Sequence, residues 1–235
     1  MKGTGKMIRT ILWDVDGTLL DFKAAESAAV KSLFREFSLG ECTDEMVRRY
    51  SRINDSFWQR LERNEITKQQ VLVGRFEQFF REVGVPASLA PEFNARYQLR
   101  LGDTIVYRDD SINVIRKLRD KVRQYVVSNG TTVAQSKKLK LSGLGELMDG
   151  VFFSEALGVE KPNKAFFDRV LEEIRPEDLS EVMIVGDSLT SDIRGGNNAG
   201  IVTCWYNPEG QEAPEGYRID HVIRDLHEVS GIVNA

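Results

Sequence analysis

One short apolar run, Ile8 to Trp13, stands apart from the other strand-like segments of the chain, separated from them by a long stretch with only helical texture. That separation constrains the fold more than any other feature. None of the six prolines precedes Pro86, and between Phe22 and Leu101 the only glycines are Gly40, Gly74 and Gly84, so few helix breakers interrupt the stretch. Ala25, Ala29, Leu33 and Phe37 recur every four residues, and Met46, Tyr50, Ile53, Phe57 and Leu61 follow a similar period. Leu72, Phe76, Phe79, Phe80 and Val83 form a third stripe, preceded by a capping-box pattern from Thr67 to Gln70.

From about Thr104 the texture changes. Strand-like runs at Val122 to Val127, Val151 to Phe153, Val182 to Val185, Ile201 to Trp205 and, weakly, His221 to Ile223 alternate with helical segments at Ile112 to Leu118, Val133 to Leu141, Lys164 to Ile174 and Ser191 to Asn198. Such alternation is the signature of a parallel α/β sheet. The expected architecture is therefore an α/β, Rossmann-like parallel sheet core built from residues 1–20 and 102–235. An all-helical cap domain, residues 21–101, is inserted after the first strand; at roughly 80 residues it is long enough for a small domain.

Composition narrows the classes of partner. With 41% hydrophobic and 29% charged side chains over 235 residues, the chain can bury a sizeable core. Lys and Arg total 32 against 36 Asp and Glu, a net charge of -4, which is no nucleic-acid footprint and gives no attraction to anionic lipid. No apolar run approaches the roughly 20 residues needed to span a bilayer, and the start MKGTGKMIR has no apolar signal segment, so a cytoplasmic protein is expected. Cys42 and Cys204 offer no metal-ligand pair and no disulfide framework, leaving either one bridge or two inert thiols.

In an open parallel sheet, ligands bind at the carboxyl ends of the strands near a topological switch point. The first strand ends in Asp14-Val15-Asp16-Gly17-Thr18, the second in Ser128-Asn129-Gly130-Thr131, and the fourth in Gly186-Asp187-Ser188 followed by Asp192, while Lys161-Pro162 follows the third. Asp14 and Asp187 offer hard oxygen ligands of the kind Mg²⁺ takes; taken singly, a strand-end Asp serves equally as a turn or helix cap. Asp16, if extended geometry persists, points to the same side as Asp14 and suits a general acid and base, against the alternative of an Asx-turn before Gly17. Ser128 and the amides of Asn129 and Gly130 open a loop entering a helix, which favours an anion, though an ordinary turn has the same composition. Lys161 would add positive charge to a transferring phosphoryl group or lie solvated at the surface. Asp192 holds a metal-bound water, orients Lys161, or complements a helix N-terminus.

Taken in order, these segments resemble the four motifs of the haloacid dehalogenase superfamily of phosphohydrolases, over nearly the whole chain. The resemblance implies that Asp14 attacks phosphorus to form an aspartyl-phosphate, and that the backbone carbonyl of Asp16 joins Asp14 and Asp187 around Mg²⁺. The second Asp favours phosphate monoester hydrolysis, because dehalogenases of the superfamily lack it. Ile53-Asn54, Trp58, Ile66-Thr67 and Arg75-Phe76, with Gly158 to Lys164, are similar to the bacterial 5'-nucleotidase branch that favours pyrimidine monophosphates.

Substrate choice is expected to fall to the cap, since the core motifs contact only phosphate and metal. Asn54 and Trp58 share a helical face, where a ring could stack on a base while the amide reads its edge, and Arg75 could join them; equally, Trp58 and Phe76 at helical spacing pack a cap core. The implied function is a Mg²⁺-dependent phosphatase on a small phosphate monoester, a nucleoside 5'-monophosphate first, with a sugar phosphatase or phosphomutase on the same scaffold second. A signalling receiver domain is disfavoured, because its acidic pair precedes a phosphorylated Asp on a later strand and it carries no insert of this size. Nothing in the sequence chooses between monomer and dimer.

Overall fold

The computed structural model describes residues 7–234, so residues 1–6 of the expected 1–20 segment, with most of the MKGTGKMIR start, lie outside the description. The chain divides into two compact units: one runs to Asp21 and resumes at Tyr107, and the other holds Phe22–Val106.

The first unit is built on a six-stranded, wholly parallel sheet of β1 (Thr10–Trp13), β2 (Arg123–Ser128), β3 (Gly150–Phe153), β4 (Val182–Gly186), β5 (Val202–Tyr206) and β6 (His221–Ile223), in the order β3-β2-β1-β4-β5-β6. Trp13 lies in register with Val126 on one side and Val185 on the other, which aligns the carboxyl ends of the three central strands. The chain leaves β1 toward β2 and β3, then returns to β4 across β1. The crevice at the β1 carboxyl end is therefore the switch point where such sheets bind ligands. Burial on both faces explains why the central strands read as apolar runs rather than alternating ones. One face is closed by Phe166, Phe167, Val170 and Ile174 packed on Leu12, Tyr125, Val127, Val182 and Ile184.

The second unit contains α1 (Phe22–Glu36), α2 (Asp44–Glu62), α3 (Lys68–Val83) and α4 (Ala90–Arg100). The Thr67 capping box forms as expected, with Gln70 as its reciprocal partner. The stripes hold with small shifts in phase: Val47 and Val71 are buried where Met46 and Leu72 were expected. The helix α4 was not anticipated; Pro91 sits in its first turn, where a missing N–H costs nothing. Phe34, Tyr50, Phe76, Phe79, Phe80, Phe93 and Tyr97 form one aromatic core, with Tyr50 stacked on Phe76 at 4.9 Å and 13°.

The remaining helices of the first unit are α5 (Ser111–Leu118), α6 (Thr132–Ser142), the short α7 (Ser154–Leu157), α8 (Lys164–Ile174), α9 (Arg194–Ala199) and α10 (Val229–Val233). The expected helix from Ser191 splits: Leu189–Ile193 forms a π-turn, and α9 then ends at Gly200 in the left-handed region. Cys42 and Cys204 are free and buried, and burial pushes the Cys42 thiol up to about 11, consistent with two inert thiols. Among the described residues no helix is long and apolar enough to cross a membrane.

Candidate active site

The parallel ladder continues one residue past β1, where the Asp14 amide donates to Val185 O at 3.0 Å. The chain then turns: Val15 O accepts from the amides of Leu19 and Leu20, and Gly17 takes φ +99°. The extended spacing expected of Asp14 and Asp16 is thus lost, and the two carboxylates engage different partners. Glycine at 17 is also a matter of space, because a Cβ there would lie 2.5 Å from Asp187 Oδ2.

Lys161 is 1% exposed and uses its three donors fully: Nζ donates to Asp14 Oδ1 at 2.8 Å, Asp192 Oδ1 at 2.6 Å and Val127 O at 2.9 Å. The solvated alternative for this lysine is excluded. Asn129, one of the three expected phosphate ligands, has its side chain committed to the Lys161 segment, accepting from Lys161 N at 2.8 Å and donating to Lys161 O at 2.9 Å. Ser128 Oγ accepts from Gly130 N at 3.0 Å, fixing the turn that opens toward α6. The π-turn delivers Asp192 inward, where Ser188 N donates to its Oδ2 at 3.2 Å; a Cβ on Gly186 would lie 2.2 Å from that oxygen.

Asp187 is held from two sides. Thr18 Oγ1 donates to its Oδ1 and accepts from its amide, both at 3.0 Å, while Trp205 Nε1 donates to its carbonyl at 2.9 Å. Carboxylate oxygens of Asp14, Asp187 and Asp192 lie within 4.8 Å of one another. Burial raises the Asp14 carboxyl well above its ordinary range, and the charges of Asp192 and Asp187 add to the rise against the pull of Lys161. Asp187 opens to solvent on one side but is crowded by protein on the others; lost hydration first, then the Asp192 charge, lift its carboxyl to about 7. Burial works against the Lys161 ammonium, but Asp14 and Asp192 more than offset it and hold the proton above the usual lysine range.

Three carboxylates against one ammonium leave this cluster short of positive charge. Asp14 Oδ2 and Asp187 Oδ2 have no hydrogen-bond partner among the described residues, so two hard oxygens remain to be satisfied on neighbouring strand ends. That donor set fits Mg²⁺, which takes one or two carboxylates and fills the rest of its shell with water and phosphate oxygens. Asp192 differs, since both its oxygens are already engaged.

Two further residues meet Asp16. From α6, Gln135 Nε2 donates to Asp16 Oδ2 at 2.6 Å and the Lys138 ammonium pairs with Asp16 Oδ1. Both side chains are buried, at 1% exposure each. Sequence reading missed them because it took Val133 to Leu141 as a helical segment without assigning it an inward face; Val133 and Leu141 are 52% and 56% exposed, and Ala134, Gln135, Lys138 and Leu139 face in. The available signal was the i, i+3 spacing of Gln135 and Lys138, which places them on one face.

The expected substrate residues of the helical unit lie in a polar network within it. Asn54 Oδ1 accepts from Trp58 Nε1 at 3.1 Å and from Arg75 Nη1 at 2.7 Å, and Asn54 Nδ2 donates to Glu26 Oε1 at 3.0 Å. Arg75, 1% exposed, also donates to Asn94 Oδ1 and lies against the rings of Phe76 and Tyr97. Asn54 and Arg75 are therefore occupied with each other, and only Trp58 keeps partly exposed surface.

A sequence profile of the haloacid dehalogenase-like hydrolases matches residues 8–200. The putative HAD-hydrolase YfnB of Bacillus subtilis is 36% identical over 97% of both chains, and a crystal structure of it bound to magnesium superposes with a TM-score of 0.91 over 98% of this chain and 100% of that one. Pyrimidine 5'-nucleotidase YjjG of Escherichia coli is 30% identical, with 95% of this chain and 96% of the relative covered. Pyrimidine 5'-nucleotidase PynA of Streptococcus pneumoniae is 35% identical over 86% and 85%.

Proposed function

The chain belongs to the haloacid dehalogenase-like hydrolases, and on that footing we propose that it is a Mg²⁺-dependent phosphatase of small phosphate monoesters, with pyrimidine nucleoside 5'-monophosphates as its preferred substrates. The observation that carries the reading is the pair of unpartnered oxygens, Asp14 Oδ2 and Asp187 Oδ2, on adjoining strand ends at the switch point of the sheet.

A carboxylate is a weak nucleophile and is repelled by a phosphate dianion. Mg²⁺ bound by Asp14, Asp187 and the Asp16 carbonyl would supply the positive charge that offsets this repulsion. Asp14 then attacks phosphorus through a carboxylate oxygen, and the bond from phosphorus to the leaving oxygen breaks with its electron pair on that oxygen. Asp16 supplies the proton that oxygen takes up. In the second half, a water oxygen attacks phosphorus, its proton passes to Asp16, and the bond between phosphorus and Asp14 breaks to restore the free carboxylate. Lys161 anchors Asp14 and balances charge at the phosphoryl group, and Asp192 keeps Lys161 in place. The Ser128 turn offers the Ser128 hydroxyl and the Asn129 amide to the phosphate oxygens, the Gly130 amide being held by Ser128 Oγ. In the helical unit, Trp58 supplies a plate for the base, oriented by its bond to Asn54.

A panel of nucleoside monophosphates, hexose phosphates and triose phosphates, assayed with Mg²⁺ and with chelator, tests this reading. Pyrimidine monophosphates should lead, and chelator should abolish turnover. Chelator-resistant hydrolysis would overturn the mechanism, and a panel led by sugar or triose phosphates would overturn the nucleotidase assignment alone.

A further inference from the structure

The proton-transfer residue of the reaction sits in a clamp that the reaction scheme does not use. Asp16 lies inside the turn after β1, where a backbone bridge to Leu20 and the Gly17 N to Leu20 O hydrogen bond hold its main chain but leave its carboxyl free to be met by side chains. Fixing comes from α6, where Gln135 and Lys138, one turn apart, each take one carboxyl oxygen. Burying a lysine costs free energy unless it is paired, and Lys138, buried beside Ala134 and Leu139, has its ammonium on the Asp16 carboxyl. Gln135 is tied as closely to the phosphate turn. A Cβ on Gly130 would lie 2.3 Å from Gln135 Nε2, so the amide rests directly against the loop that begins at Ser128. Its other end, Oε1, is buried without a hydrogen-bond partner among the described residues. A buried side chain that leaves an acceptor unsatisfied in order to aim its amide at one carboxylate is placed for that carboxylate.

We propose that Lys138 and Gln135 are positioning residues that aim the Asp16 carboxyl at the leaving oxygen, and that they act only through Asp16. The inference rests on the phosphatase reading above. When Asp14 attacks and the leaving oxygen departs with the electron pair of its broken bond to phosphorus, that oxygen takes the proton of Asp16. A protonated carboxyl still accepts from both donors while its O–H turns outward. Released from the clamp, the carboxyl samples other rotamers and meets the leaving oxygen less often.

The consequence is selective. Esters with poor leaving groups need the proton, whereas an activated aryl phosphate does not. General acid catalysis is worth about 100- to 10,000-fold, so loss of aim should cost Lys138→Met about 100-fold in single-turnover phosphorylation by an alkyl phosphate. With 2,4-dinitrophenyl phosphate the same variant should lose less than about threefold, and Gln135→Leu should show the same pattern at about 10-fold. In an Asp16→Asn background, Lys138→Met should add less than about threefold on any ester. Equal losses across leaving groups in the folded variants, or a full additional loss on top of Asp16→Asn, would overturn the clamp. Should Lys138→Met fail to fold by circular dichroism, Gln135→Leu carries the same comparison. A wild-type protein inert toward every monoester with Mg²⁺ would instead overturn the phosphatase reading, and the clamp with it.

Discussion

Both units bury charge, but they differ in what is left over. In the helical unit Glu26 is fully buried, and both its oxygens are taken, Oε1 by Asn54 and Oε2 by Ser51, with Lys23 3.8 Å away. Arg75 gives Nη1 and Nη2 to two asparagine oxygens and lies against two rings, while its Nε is buried without a hydrogen-bond partner among the described residues. In the α/β unit, Asp14 gives one oxygen to Lys161 and keeps the other, and Asp187 gives one to Thr18 and keeps the other. Burial of an ionisable group is thus no mark of chemistry. Nor is unspent bonding capacity alone, since the Tyr50 and Tyr97 hydroxyls and Arg75 Nε are buried in the helical unit without partners among the described residues. What distinguishes the strand ends is that the spare atoms belong to carboxylates whose oxygens gather within 4.8 Å, a donor set for a cation. The secondary structure explains the gathering: parallel strands stop in register, so the residues that follow them converge at one edge of the sheet.

The contrast can be broken most severely at Asp14. Asp14→Asn should lower kcat/KM on any monoester by about 10,000-fold or more while the protein still melts cooperatively, since it removes the nucleophile and also a carboxylate whose burial is unfavourable. Substantial residual activity would move the nucleophile elsewhere. Arg75→Met makes the reciprocal cut, leaving the strand ends untouched but stripping two hydrogen bonds from buried partners. A stability loss of about 3 kcal/mol in urea titration is expected, and an unchanged midpoint would show that the network contributes nothing.

Trp58→Ala separates the two roles the helical unit can have. Base stacking on an aromatic ring is worth about 1 to 3 kcal/mol, so turnover of a pyrimidine monophosphate should fall roughly 5- to 150-fold while a small aryl phosphate is hardly affected. Equal losses on both would make Trp58 a packing residue, as its bond to Asn54 alone would require.

Glu26→Gln should give the smallest change and the sharpest sign. Lost hydration on burial raises the Glu26 carboxyl above its ordinary range, with Lys23 and Ser51 opposing. The folded state therefore holds the proton more tightly than the unfolded chain, and wild-type stability falls as pH rises from the ordinary glutamate range through the raised value. The glutamine variant lacks that descent, so it should match the wild type in acid and melt slightly above it at neutral pH. A variant less stable at neutral pH than in acid, relative to wild type, would mean that the charged form is the one the network favours.

The strand ends were legible because Asp14, Ser128 and Asp187 stand where apolar runs stop, with Lys161 reached from β3 through the short α7. The helical unit was legible as helices, since Phe57, Phe76 and Phe79 repeat with the period of a buried stripe. What failed was polarity used against its usual meaning. On α6 the polar Gln135 and Lys138 face inward while Val133 and Leu141 face water, so hydrophobicity alone does not mark the buried face of this helix. Asn54 and Trp58 were correctly placed on one face, but periodicity does not reveal that the first accepts from the second. The π-turn at Leu189–Ile193, which turns Asp192 onto Lys161, depends on one extra residue within a helical turn and leaves no compositional trace.

The position of β1 has a consequence for endurance. It is paired on both sides, by β2 and β4, and the ladder runs on through the amide of Asp14 itself. Amides in such a strand open only when the whole sheet opens, so deuterium should reach Ile11, Leu12 and Asp14 last of all. Inactivation on heating should then coincide with collapse of the sheet rather than precede it, with the backbone under Asp14 among the last features of the molecule to be lost.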